Sequence, residues 1–199
     1  MITNILRIDS SPRTENSVSR RITDQVIEKL MTIHPNAQVV VRDLESSSVP
    51  YVTETMIGGY FTPAEERTVE MTNAIAVSEQ YVNELIEADT IVIGVPIYNF
   101  SVPGVLKAFV DLIARSGMTF KMGPEGYEGL LKEKKAIVVM ASGGLPVDSP
   151  ADFATPYIRQ VLNFIGIDDI SVIDGSGRIA DEEKLARTAA DVEALLAVA

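Results

Sequence analysis

Two apolar runs, TIVIGV at residues 90–95 and KAIVVMA at residues 135–141, decide the fold of this chain. Both are almost continuously apolar, which is typical of strands that are covered on both faces in a parallel sheet. Three further β-rich runs lie at residues 4–9, 38–43 and 169–174. The sequence therefore predicts five strands, of which the third and fourth are buried on both faces.

Helical patterns separate these strands. Residues 19–33 place Ile22, Val26, Ile27 and Leu30 on one stripe, as an amphipathic helix does. The other predicted helices span residues 63–87, 103–114, 153–165 and 181–198. Five successive βα units with right-handed crossovers predict a doubly wound α/β fold. Its five-stranded parallel sheet, in the order 2-1-3-4-5, is expected to lie between two layers of helices.

Nothing in the sequence divides the chain into separate folding units. No repeat, low-complexity tract or linker interrupts it, so residues 1–199 are predicted to form a single domain. Two long segments, residues 44–62 and 115–133, are rich in Gly, Pro, Ser or Thr and are predicted to be loop insertions. Such loops are either functional lids and interface elements or tolerated insertions.

Composition and charge limit the class of protein. The chain has no cysteine and a formal net charge of −11, so it has no disulfide framework, and nucleic acid or an anionic membrane is not expected as a partner. The start of the chain, MITNILRIDSS, lacks the features of a signal peptide, and no run of 18 apolar residues is present. We therefore expect a soluble protein of the cytoplasm.

A ligand site is expected where the strand order of the sheet reverses. In an open α/β sheet this crevice lies beyond the carboxyl ends of strands one and three. The loop after strand one, SSPRTENSVSR at residues 10–20, is rich in hydroxyl groups and leads into a helix N-terminus, which suits a phosphate. Alternatively, Ser17 or Ser19 simply caps the helix. Neither a P-loop motif nor G-x-G-x-x-G is present.

Two other loops reach the same crevice. After strand three, PIYNFSVP at residues 96–103 predicts a rigid loop with a flat apolar surface, or a loop whose aromatic side chains cover the core. After strand four, ASGGLP at residues 141–146 contains adjacent glycines, which allow either close approach to a ligand or a simple turn. Because all three loops converge, a binding site is favoured over three independent structural features.

The residue types in the chain exclude several kinds of catalytic and metal site. The single histidine, His34, lies at the far end of the first helix, where a solvated role is expected. Without a placed histidine or any cysteine, Ser–His and Cys–His nucleophiles and His/Cys metal sites are unavailable. Asp9 is the nearest acidic candidate, and the alternative role for it is to hold the loop by accepting hydrogen bonds from backbone amides. If the chain is an enzyme, a cofactor is expected to carry the chemistry.

The three loops resemble the FMN-binding segments of the FMN-dependent NADH-azoreductases and the related flavodoxin-like NAD(P)H:quinone reductases. The similarity runs from strand one to the last helix, and P-x-Y-N-F at residues 96–100 is its most specific element. The resemblance implies a flavodoxin-like fold and an FMN phosphate held by Ser11, Ser17, the backbone of Val18, and Ser19. It implies that the isoalloxazine ring lies between two groups of residues, namely Pro96, Ile97, Tyr98, Asn99 and Phe100 on one side and Ala141, Ser142, Gly143 and Gly144 on the other.

The resemblance also implies an activity. NADH or NADPH gives hydride to FMN and leaves, and a quinone or an aromatic azo compound then takes two electrons in a ping-pong reaction. Family members are homodimers, and Phe120 and Phe164 match positions that line or support the substrate pocket. One departure is Ser142, where relatives often have arginine in S-R-G-G, which alters the electrostatics near the flavin. The alternatives are a flavodoxin-type single-electron carrier and a binding domain without flavin on the same sheet.

Overall fold

Parallel pairing joins five strands into one sheet, as predicted. In the computed structural model, residues 2–177, 189–190 and 192–194 are described. Their strands are β1 (Asn4–Asp9), β2 (Gln38–Asp43), β3 (Thr90–Pro96), β4 (Phe120–Gly123), β5 (Gly126–Gly129), β6 (Lys135–Ala141) and β7 (Asp169–Asp174). The parallel sheet has the order β2-β1-β3-β6-β7, and β4 pairs with β5 in a separate antiparallel hairpin.

The helices occupy most of the connections between these strands. They are α1 (Val18–Ile33), α2 (Glu54–Phe61), α3 (Val69–Glu87), α4 (Gly104–Ile113) and α5 (Ala154–Ile165), with a 3₁₀ turn at Ala64–Glu66. The bounds of α1, α4 and α5 agree with the predictions to within one residue at each end.

The central strands are buried on both faces because alternate side chains enter two cores. Every residue of β3 is buried, and its even-numbered Val92 packs with Ile137 and α1. The odd-numbered Ile91 and Ile93 enter a second core with residues of α3, α4 and α5. The continuous apolar runs in the sequence are thereby explained, since period-two alternation disappears when both faces are covered.

The prediction of one helix over residues 63–87 is wrong at its N-terminal end. Helix α3 begins at Val69, and the Thr68 side chain accepts a hydrogen bond from the Met71 backbone N–H at 3.2 Å. Arg67 has extended backbone angles, so the chain breaks between the 3₁₀ turn and α3. A threonine cap satisfies a first-turn N–H group and therefore competes with continuation of the helix upstream.

The two long segments predicted as loop insertions contain regular structure. Residues 44–62 include α2, where a side chain on Gly59 would meet Ile75 at 2.9 Å, so α2 lies directly against α3. Residues 115–133 contain the hairpin of β4 and β5. Both elements are short, and their packing partners are distant in sequence or lie across a tight turn, so composition alone indicated loops.

The last predicted helix, residues 181–198, lies mostly outside the described residues. The described part is helical at residues 189–190 and 192–194. Within it, Val192 is buried in the core shared with α1, and Glu193 pairs with Lys29 at 2.8 Å. Across the described residues, no helix combines the length and apolarity that a membrane crossing requires.

Candidate functional site

A cleft of about 230 Å³ lies at the carboxyl ends of β1, β3 and β6. The three loops singled out by the sequence meet in this cleft. Its lining includes ten of the predicted site residues, namely Ser11, Ser17, Val18, Ser19, Pro96, Ile97, Tyr98, Ala141, Ser142 and Gly143. Of the others, Asn99 lines an adjoining cavity that shares Tyr98 with this one, and Phe100 and Gly144 lie beside the cleft in the same two loops.

The first loop combines both roles that the sequence left open. Ser17 is the N-cap of α1 and also lines the cleft. Its hydroxyl group donates a hydrogen bond to Ser11 Oγ at 2.9 Å and lies 3.2 Å from Ser19 Oγ. All three serines are buried. The first N–H groups of an α-helix have no intrahelical partner, so the amides of Val18 and Ser19 and the three hydroxyls bring several hydrogen-bonding groups together in the lining of the cleft.

An ion pair between Arg20 and Asp43 supports this loop. Arg20 donates to the Ser11 carbonyl oxygen at 2.8 Å and forms a two-pronged pair with Asp43, at 2.7 and 2.9 Å. The hydrogen bond from Arg20 lowers the pKa of the Asp43 carboxyl group. Because Asp43 ends β2, this pair links the edge of the sheet to the start of the loop.

The structure corrects one expectation for Asp9. Its carboxylate accepts hydrogen bonds from Arg7 Nε at 2.7 Å and from Thr23 Oγ1 at 3.1 Å, rather than from backbone amides of the loop. The side chain is buried and does not line the cleft. Asp9 therefore holds β1 to α1 and is not positioned as an acid or base in the cleft.

The second loop contains a tight turn with unusual backbone angles. Tyr98 and Ser101 exchange two backbone hydrogen bonds, at 2.9 and 3.1 Å. The two residues between them, Asn99 and Phe100, both have positive φ, at 49° and 72°. Such angles are required in a type I′ turn, but they are strained for phenylalanine. The Phe100 carbonyl oxygen accepts from the Phe153 N–H at 2.9 Å, which ties the turn to the start of α5.

The turn presents aromatic side chains to solvent beside the cleft. Tyr98, Phe100 and Phe153 are all exposed, Phe100 to 58%. Of these three, Tyr98 lines the cleft, so a flat ligand there can contact its ring. Exposed aromatic groups next to a concave site are a frequent sign of ligand binding.

The third loop leaves open space on the opposite side of the cleft. Gly144 has a φ of 153°, and a side chain added at Gly143 would meet no atom of the described residues within 4 Å. Ser142 holds the loop, since its hydroxyl accepts from the Gly144 N–H at 3.3 Å and its carbonyl oxygen accepts from Gly177 at 2.7 Å. The glycines thus leave room for a ligand to approach the backbone.

Three lining residues were absent from the predicted site, namely Arg13, Asn16 and Gly177. Arg13 and Asn16 lie within the hydroxyl-rich loop, so their proximity was available from the sequence. Gly177 follows β7 and joins the cleft only through its bond to Ser142. No local pattern could have indicated that contact.

Phe120 and Phe164 lie elsewhere in this chain. Their ring centroids are 4.5 Å apart, and Tyr127 completes an aromatic cluster with them between the hairpin and α5. Neither ring lines the cleft.

His34 is the C-cap of α1 and is partly buried, so its predicted position at the end of the helix is confirmed, although it is less solvated than expected.

The sheet order and the hydroxyl-rich loop at the first helix define a flavodoxin-like α/β protein. Residues 3–196 match the family model described as flavodoxin-like fold, and the chain belongs to this family.

The relatives with similar sequences have closely related names. The chain is 48% identical over 184 residues to an FMN-dependent NADH:quinone oxidoreductase 1 of Hahella chejuensis, which covers 92% of this chain and 90% of the relative. It is 45% identical over 197 residues to the protein of the same name from Jannaschia sp., covering 98% and 100%.

Solved structures agree with this grouping. A crystal structure of azoreductase from Bacillus anthracis superposes with a TM-score of 0.88 at 30% identity, covering 98% of both chains. An FMN-dependent NADH-azoreductase of Bacillus anthracis, solved in complex with FMN, superposes with a TM-score of 0.86 at 25% identity, covering 98% of this chain and 97% of the other.

Proposed function

We propose that this chain is an FMN-dependent oxidoreductase that transfers two electrons from NADH to quinones and to aromatic azo compounds. The observation that carries the proposal is that two features meet in one cleft. Buried hydroxyl groups and free backbone amides, which suit an anion, lie next to a turn with exposed aromatic side chains. Relatives at 41–48% identity are named FMN-dependent NADH:quinone oxidoreductases, and both solved structures described above are named azoreductases. The sheet is taken as the 2-1-3-4-5 sheet of a three-layer fold, supported by the cores on its two faces.

The residues of the cleft suit the chemistry of FMN. Ser11, Ser17 and Ser19, with the amides of Val18 and Ser19, would hold the phosphate at the N-terminus of α1. The isoalloxazine ring would lie along Pro96, Ile97, Tyr98, Asn99 and Phe100. On its other side would lie Ala141, Ser142, Gly143 and Gly144, where the empty space over Gly143 accepts a flat group. These assignments are part of the proposal and rest on the geometry of the three loops.

Bound FMN supplies the hydride chemistry, with NADH or NADPH as donor and the acceptor entering after the nicotinamide has left. The protein contributes binding and orientation. The described residues that line the cleft include no Asp, Glu, His or Lys, and the ionisable side chains among them are those of Arg13 and Tyr98. Tyr98, Phe100 and Phe153 offer exposed rings on which a planar donor or acceptor can pack.

The proposal includes a homodimer in the cytoplasm, with neither nucleic acid nor membrane as a partner. Tyr51, Phe61 and Val69 are each 78% exposed, which is unusual for apolar side chains and supports an interface. Phe120 and Phe164 would support a substrate pocket that two subunits complete. Light scattering on purified protein tests the dimer directly.

The function is tested by the visible absorption spectrum of the purified protein with FMN, before and after anaerobic NADH and then a quinone. We expect NADH to bleach the flavin band and the quinone to restore it. Bound FMN that NADH does not reduce, together with a one-electron reduced flavin that persists on titration, would favour the single-electron carrier. Failure to bind FMN would contradict the proposal altogether.

A further inference from the structure

Four arginines lie on or near the phosphate loop, and two of them are already neutralised. Arg7 pairs with Asp9 at 2.7 Å and with Asp24 at 2.5 Å. Arg20 pairs with Asp43 and has Asp9 within 3.8 Å. Both guanidinium groups are largely buried in these pairs. Their charge is therefore used within the protein, and their role is to hold the loop.

Arg13 differs from these two. It is exposed, it lines the cleft, and among the described residues no carboxylate oxygen lies within 4 Å of its guanidinium group. Its backbone N–H donates to Ser11 Oγ at 3.2 Å, so its main chain is bonded to one of the three serines. Within the described part of the chain, Arg13 is thus a cation without a carboxylate partner in the lining of the cleft.

The fourth, Arg21, provides an internal comparison. It is exposed on α1 and also has no carboxylate within 4 Å in the described part of the chain. It does not line the cleft. Arg13 and Arg21 therefore carry the same charge and similar exposure, and they differ in access to the ligand.

The negative charge of this chain opposes the binding of a phosphate dianion. Hydroxyl and amide groups donate hydrogen bonds, and the dipole of α1 adds only a partial positive charge, while the chain as a whole carries −11 and repels an anion. A guanidinium group matches the oxygens of a phosphate and can donate two parallel hydrogen bonds. Only the phosphate of the flavin would gain from this contact, since the ring and ribityl chain are uncharged.

We propose that Arg13 gives this site its selectivity for a phosphorylated flavin over an unphosphorylated one. The inference rests on the proposed function, because it assumes that the cleft binds FMN. Arg13 is a specificity residue in this role, and the flavin ring reacts without its participation.

The test compares FMN with riboflavin, which lacks the phosphate. Dissociation constants for both are measured on flavin-free protein by quenching of flavin fluorescence, for the wild type, R13Q, R13K and the matched control R21Q. We expect R13Q to weaken FMN binding about tenfold, as for loss of a charge-assisted phosphate contact, and to leave riboflavin binding unchanged. R13K should recover part of the loss, and R21Q should change neither constant by more than about twofold. The preference of the wild type for FMN should also fall with added KCl, more steeply than that of R13Q.

Each other result has a distinct meaning. Equal losses in R13Q and R21Q would overturn the inference in favour of a general charge effect. An equal loss of FMN and riboflavin in R13Q would assign Arg13 a structural role in the loop. Unchanged FMN binding in R13Q would overturn the role of Arg13 and leave the proposed function intact, whereas a wild type that binds neither flavin would remove the proposed function itself.

Discussion

Phe100 occupies a backbone conformation that favours glycine, at a φ of 72° in the turn beside the cleft. We compare F100G with F100A, because both variants remove the ring and differ only in the Cβ atom. A side chain in the left-handed region costs roughly 1–2 kcal/mol, since Cβ approaches the backbone oxygen. Glycine avoids that cost but gives back roughly 0.5–1 kcal/mol in chain entropy on folding. The net expectation is that F100G is more stable than F100A by about 1 kcal/mol.

The sign of the difference in stability between F100G and F100A shows whether the turn favours glycine. At an exposed position inside a helix, glycine is less stable than alanine by about 1 kcal/mol. Asn73 in the second turn of α3 is exposed and provides that control, with N73A expected to be more stable than N73G. The assay is urea unfolding of flavin-free protein, and the gap at Phe100 corresponds to roughly 2–4 °C in melting temperature for a chain of this size.

The catalytic effect should differ from the effect on stability. Both Phe100 variants lose the exposed ring, so both are expected to lower kcat/KM for a quinone to a similar extent. If F100A proves as stable as F100G or more stable, the turn is not strained and the reasoning from its backbone angles is refuted. If kcat/KM is unchanged in both, Phe100 does not form part of the substrate surface.

Two further predictions concern packing and pH. G129A should lower the free energy of unfolding in urea by roughly 2–3 kcal/mol, because its Cβ would lie 2.1 Å from the Gly166 backbone nitrogen. The control G123A meets only ordinary contacts and should lose little stability. Similar losses in both variants would contradict the close approach of the hairpin and the end of α5. The hydrogen bond from Arg20 lowers the pKa of Asp43, so its contribution to stability is present above the carboxyl group's unfolded pKa and is lost as the pH falls through the lower folded value. D43N should therefore flatten the loss of unfolding free energy in acid, and an unchanged pH profile would argue against the pair.

Much of the fold could be predicted from local patterns. The strands β1, β2, β6 and β7 have the predicted bounds, and β3 extends one residue further, to Pro96. Apolar periodicity records burial on one or two faces, so it identifies strands that are covered by helices. The caps at Thr53 and Thr68, where α2 and α3 begin, were not among the features predicted from the sequence.

Part of the candidate site could likewise be predicted from local patterns, and part could not. The sequence by itself determined the three loops and the hydroxyl, aromatic and glycine groups in them, because these follow directly after the carboxyl ends of recognisable strands. Only the tertiary structure decided that Arg20 is neutralised, since this residue of α1 pairs with Asp43 at the end of β2, which is distant in the chain. It also brought Gly177 to Ser142 and strained Phe100 against α5. Hydrogen bonds and ion pairs of this kind depend on positions that distant segments take after folding, and no local pattern in the chain encodes them.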